Sequence, residues 1–97
     1  MLTGKEKRYL KGLANAIKQR YLIGKGEIND SFIKMIDDAL EAKELIKIGL
    51  NPNCELSAKE AGESIAMQTD AELVQVIGKV AVLYRKSKKA PKIVFPN

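Results

Sequence analysis

A short apolar run, Tyr21-Leu22-Ile23, stops abruptly at Gly24-Lys25-Gly26-Glu27, and a helix-like pattern begins a few residues later. This feature constrains the fold more than any other. An uninterrupted apolar run reads as a buried strand, and glycine permits positive φ and close backbone approach. A second run, Glu44-Leu45-Ile46-Lys47-Ile48-Gly49-Leu50, follows the helical stretch. A right-handed crossover through that helix makes the two strands parallel. The middle of the chain is thereby committed to an α/β layer arrangement. The turn also suits a phosphate, because a following helix can offer free N–H groups and Lys25 adds charge. The same glycines serve equally well in a purely structural turn, and the motif alone leaves both readings open.

The remaining elements follow from caps and periodicity. Thr3 and Glu6 form a capping box, and Leu10, Leu13, Ala14 and Ile17 recur at helical spacing, which predicts a first helix from about residue 4 to 18. On it Lys7, Lys11 and Lys18 fall within roughly 40° of one another, with Arg8 and Lys5 further round. Asn29 or Asp30 caps a second helix whose buried stripe is Ile33, Ile36, Ala39 and Leu40 and whose outer side carries Asp37, Asp38 and Glu41. In the second strand Leu45 faces one way, Ile46 and Ile48 the other. Asn51-Pro52-Asn53 is a turn. Ser57 and Glu60 cap a third helix running to about Thr69, with Ala58, Ala61 and Ile65 as a narrow seam and Gly62 weakening it. Leu73–Ile77 and Val80–Arg85 flank Gly78-Lys79, a two-residue hairpin that puts Lys79 at its tip. Residues 86–92 read as a polar, mobile tail, and Ile93-Val94-Phe95 as a return to the sheet edge. The expected architecture is α-β-α-β-α-β-β: one domain over residues 1–97 with a four-stranded mixed sheet.

Composition removes several function classes. The chain has no histidine and one cysteine, Cys54. The usual general base, the Ser-His and Cys-His nucleophile pairs and a cysteine-based zinc site are therefore out of reach. No catalytic residues, metal site or cofactor are expected. The adjacent carboxylates of the second helix lie on a polar face and make no acid/base pair. No apolar run approaches the ~18 residues of a membrane span, and residues 1–5 lack the apolar core of an export signal. A cytoplasmic setting is expected, and Cys54 reads as a small loop residue. The net charge of +5 is unevenly spread: residues 1–26 carry +6, residues 27–72 carry −7 and residues 73–97 carry +6. If the two ends meet, they form one positive face that would orient a polyanion.

Met1-Leu2-Thr3-Gly4-Lys5 with Lys7-Arg8, Ile23-Gly24-Lys25-Gly26, Glu44-Leu45-Ile46-Lys47, and Val76-Ile77-Gly78 leading into Val82-Leu83-Tyr84-Arg85 occur in this order over essentially the whole chain. Together they resemble the CRM domain family (chloroplast RNA splicing and ribosome maturation), in particular its stand-alone bacterial, YhbY-like members. The resemblance implies an RNA-binding domain similar to the C-terminal domain of translation initiation factor three. It implies a role in large ribosomal subunit assembly, with 23S ribosomal RNA as partner and ribosomal proteins as further candidates. The family's glycine loop is a G-x-x-G loop, analogous to the one with which KH domains clamp a nucleic-acid backbone. Gly24 and Lys25 match its first two positions and Gly26 a frequent third glycine. Glu27 departs from the usual glycine at the fourth, and its carboxylate is unfavourable beside a phosphate.

The candidate RNA-binding set is therefore Gly24, Lys25 and Gly26 in the loop, Lys5, Lys7, Arg8, Lys11, Lys18 and Arg20 along the first helix and beyond, and Arg85 and Lys86 with the tail lysines. Tyr9, Tyr21, Tyr84, Phe32 and Phe95 are the only rings, with Phe32 or Phe95 expected to pack inside, so shape more than base sequence should be read. A monomer without membrane contact is the expectation. The alternative is a protein-interaction module whose acidic face (Asp37, Asp38, Glu41) docks a basic partner.

Overall fold

The computed structural model describes residues 2–23 and 28–96. Three helices and four strands run in the order α1 (Gly4–Ala14), β1 (Tyr21–Ile23), α2 (Asp30–Lys43), β2 (Leu45–Leu50), α3 (Ala58–Thr69), β3 (Glu72–Ile77) and β4 (Val80–Tyr84). The strands form one sheet in the order β1-β2-β4-β3. β1 is parallel to β2, with Leu22 opposite Gly49. β4 is antiparallel to both β2 and β3. The mixed sheet and the parallel crossover match the expectation.

Local chemistry explains the element starts. The capping boxes at Thr3/Glu6 and Ser57/Glu60 are both closed. Asn29, rather than Asp30, caps α2, its side chain accepting from the Phe32 amide at 2.8 Å. The hairpin turns at Gly78, where φ is +56°, a conformation glycine adopts without cost. The first helix is shorter than its apolar spacing suggests. It ends at Ala14, and the last amides tighten into three-residue turns (Asn15 to Gly12, Ala16 to Leu13, Ile17 to Ala14). Ile17 still packs beneath α1, but Lys18 and Arg20 lie on the non-helical link to β1 rather than on a helix flank.

The strand alternation feeds two cores. Ile46, Ile48 and Leu83 meet Ile36, Leu40, Ala61 and Ile65 of α2 and α3 on one face. Leu45, Val74, Val82 and Tyr84 meet Leu10 and Ala14 of α1 on the other. Gly62 allows α3 to approach the hairpin closely: a Cβ there would lie 2.8 Å from Leu73 Cδ1 and 3.0 Å from Ala81 Cβ. Cys54 is buried in the α2/α3 core. Residues 86–92, expected to be mobile, are instead tied to the end of α2, as described below. Ile93 and Phe95 return to the α1 core without forming a strand.

Candidate nucleic-acid interface

The layering turns charge segregation along the chain into segregation across the sheet. α1 carries Lys5, Lys7, Arg8 and Lys11 against a single acid, Glu6, which is spent on the cap. On the far side, α2 and α3 carry Asp30, Asp37, Asp38, Glu41, Glu60 and Glu63 against Lys34, Lys43 and Lys59. Lys5, Arg8, Lys11, Lys18 and Arg20 are exposed and Lys7 half-buried. The ion pairs among the described residues are Lys34–Asp38, Arg85–Asp37 and Arg85–Glu41, so none neutralises these six cations. Gly24, Lys25 and Gly26, with Glu27, lie outside the described residues. The ends of β1, β2 and the hairpin turn meet where that loop departs: the Asn51 amide donates to the Ile23 carbonyl and the Leu50 amide to the Lys79 carbonyl.

The C-terminal basic segment divides between the faces because strand alternation continues past β4. Lys86 follows Tyr84 to the α1 side, beside Glu6 and Ile93, and is exposed. Arg85 turns the opposite way, and its position corrects the expectation of a free RNA contact. Its side chain is only 10% exposed and pairs with Asp37 and Glu41. Its guanidinium also donates to the carbonyls of Thr69 at 2.9 Å and Asp37 at 3.1 Å. Arg85 joins α2 to the end of α3.

The tail is pinned by two glutamates. Glu41 accepts from the Ser87 hydroxyl at 2.7 Å and from the Lys88 and Lys89 amides at 3.1 Å each. Glu44 is fully buried and accepts from the amides of Ser87, Lys92 and Ile93 at 2.7–2.8 Å. The Ser87 hydroxyl and the neighbouring amides hold the Glu41 carboxyl down at about 2. Burial opposes ionisation of Glu44, but its three amide donors outweigh it and the carboxyl is also lowered. Two of the three acids expected to form a docking face, Asp37 and Glu41, are thus engaged internally. Asp38 remains outward, 3.9 Å from Lys34.

Lys47 was not singled out in the sequence. It is the only half-buried position in an otherwise buried central strand, and it faces the α1 side with no acid partner among the described residues. A charge costs free energy in such a place unless paired, and a lone lysine inside an apolar strand was the signal available. It shares a cleft with Arg20 beyond the end of α1. The rings offer little stacking surface: Tyr84 is buried, Phe95 packs edge-on against Tyr9 and Tyr84, Phe32 lies against the core, and Tyr21 is held by Lys43. Among the described residues no group of three or more acids and cysteines could hold a metal, and no helix is long and apolar enough to cross a membrane.

This geometry defines a small α/β domain with a cationic face on one side of its sheet. The chain belongs to the CRS1 / YhbY (CRM) domain family, whose model matches residues 2–85. It is 43% identical over 96 residues to the probable RNA-binding protein YqeI of Bacillus subtilis, covering 99% of this chain and all of that one. It is 34% identical to an RNA-binding protein of Haemophilus influenzae, covering 99% and 96% of the two chains. The solution structure of the hypothetical protein SAV1595 from Staphylococcus aureus superposes with a TM-score of 0.80 at 50% identity, over 99% of this chain and all of that one.

Proposed function

We propose that this protein is a cytoplasmic, monomeric, non-enzymatic RNA-binding protein that docks on 23S ribosomal RNA in precursors of the large ribosomal subunit. The observation that carries this reading is the α1 side of the sheet, where Lys5, Lys7, Arg8, Lys11, Lys18, Arg20 and Lys86 gather with no ion pair among the described residues, while Glu6 and Glu72 on that side are taken up by backbone amides and most other acids lie on the α2/α3 side. Seven cations on one surface attract phosphates and fix orientation without reading sequence. The Gly24-Lys25-Gly26 motif supplies a further phosphate contact. The names of the relatives and the family assignment support RNA as the partner. Arg85 is left out of the contact set because its guanidinium is already engaged.

The test is crosslinking in lysate fractionated on a sucrose gradient, with Lys25→Glu as control. Crosslinks to 23S RNA in particles lighter than mature subunits, absent in the control, are the expected result. Migration free of ribosomal particles would overturn the assembly role, and a flat salt dependence of RNA affinity would overturn the phosphate-docking mechanism.

A further inference from the structure

α1 and the tail cover only half of their side of the sheet. Past Asn15 a row made of Leu22, Gly49, Val80 and Ile77 crosses all four strands, and among the described residues no helix covers its two ends. Leu22 is 69% and Ile77 58% exposed. Gly49 has no side chain, and Leu22 and Arg20 fold over it and bury it. Beside it a cavity of about 170 Å³ opens, with Ile77, Val80 and Val82 as an aliphatic floor and Arg20, Lys47 and Gln75 as polar lining. The side chains of Arg20, Lys47 and Gln75 make no hydrogen bond or ion pair among the described residues.

We propose that this cleft takes one unstacked nucleotide of a single-stranded RNA segment. The base lies on Ile77 and Val80, its edge meets the Gln75 carboxamide, and its phosphate meets Arg20 and Lys47. The chemistry favours this occupant. The cavity is well below the ~300 Å³ at the small end of drug-sized sites and suits a single ring system. An apolar peptide would cover the Lys47 ammonium without pairing it, which is costly. A nucleotide satisfies both requirements at once, since an anion and an apolar ring face sit side by side in one molecule. A carboxamide can hydrogen-bond a base edge both as donor and as acceptor. The inference rests on the RNA-binding reading and adds a base-holding subsite to a surface otherwise suited to backbone contacts.

The test is a titration of the full-length, ¹⁵N-labelled protein with adenosine monophosphate, with ribose 5-phosphate as the base-free control, beside affinities for an octa-adenylate RNA and for an RNA duplex. Adenosine monophosphate should shift the amides of Lys47, Gln75, Ile77 and Val80, while ribose 5-phosphate should leave Ile77 and Val80 unmoved. Lys47→Met should weaken octa-adenylate binding about tenfold, the scale of removing a hydrogen bond to a charged group, and Gln75→Leu, which alters no charge, should weaken it several-fold. Duplex binding should stay within about twofold in both variants, since the duplex presents no unstacked base. Equal shifts at Ile77 and Val80 with both ligands would reduce the cleft to an anion site and overturn the proposal. Shifts confined to Lys5, Arg8 and Lys11, with RNA still bound, would overturn the subsite and leave the RNA-binding surface standing. Failure of the wild-type protein to bind either RNA would overturn the RNA reading itself.

Discussion

On the α2/α3 side of the sheet the core is closed. Ile46, Ile48 and Leu83 are fully buried, and Asp37, Glu41 and Glu44 each have partners. On the α1 side the core stops halfway, Leu22 and Ile77 are exposed, and the cations make no ion pair among the described residues. One face has spent its polar groups on the fold and the other has kept them. Burying a charge is tolerated only when hydrogen bonds or opposite charges satisfy it, whereas exposed cations cost the fold little and remain open to a phosphate. Stability should therefore reside mainly on one side and polyanion affinity on the other.

The largest effect expected is at Glu44. Glu44→Ala would leave the amides of Ser87, Lys92 and Ile93 without their acceptor, at a cost of about 2–4 kcal/mol in urea unfolding. Lys47→Met, on the opposite face, removes a half-buried charge with no acid partner among the described residues and should leave stability unchanged or raise it. Equal losses would break the contrast. The same contacts set the acid limit of the fold. Glu41 and Glu44 are both depressed in the folded state from an ordinary value near 4.5, Glu41 to about 2. Their contribution is complete above pH 4.5 and is lost as pH falls through the folded values. Urea midpoints should therefore decline on acidification below pH 4.5, and less steeply in Glu44→Gln than in the wild type.

Next in size is binding. Replacing Lys5, Arg8 and Lys11 together by Glu should weaken single-stranded RNA binding by at least tenfold. It should also flatten the log–log salt slope by roughly 0.7 for each phosphate that is no longer neutralised. Asp38→Lys, on the far side, should leave both unchanged. Anisotropy titrations at several salt concentrations separate these outcomes, and a comparable response at Asp38 would place the RNA on both faces.

A further pair of effects concerns two glycines. Gly62→Val must push Leu73 and Ala81 apart and should cost about 1–3 kcal/mol, as overpacking does. Gly12, in the exposed part of α1, has open space where a Cβ would go. Gly12→Ala should stabilise by up to about 1 kcal/mol, the helix-propensity difference. Thermal or urea unfolding of the pair measures how much tighter the α3 side is packed.

Much of this was legible in the residues. Three helix starts, the hairpin turn, the parallel crossover and the opposed faces of Leu45 and Ile46 all follow from groups within a few positions of one another. The early end of α1 was not legible, because Ile17 continues the apolar spacing while contacting the core from a non-helical link. Nor was the role of Arg85, which looks in sequence like one more basic residue of a basic tail. Its acidic partners, Asp37 and Glu41, lie in α2, Asp37 being 48 positions away. Lys47 was visible as a lone charge in a strand, but its company with Arg20 depends on which strands pair.

The sequence by itself determined the elements, their order, the shape of the sheet and the segregation of charge along the chain, since capping, alternation and turn chemistry are local interactions. The tertiary structure alone decided which charges remain free. Glu41 and Glu44 meet their tail donors across 43 to 49 positions, and the strand order β1-β2-β4-β3 brings Arg20, Lys47 and Gln75 around one cleft. Whether a charged group is spent or available depends on its neighbours in space, and those are fixed only when the layers close.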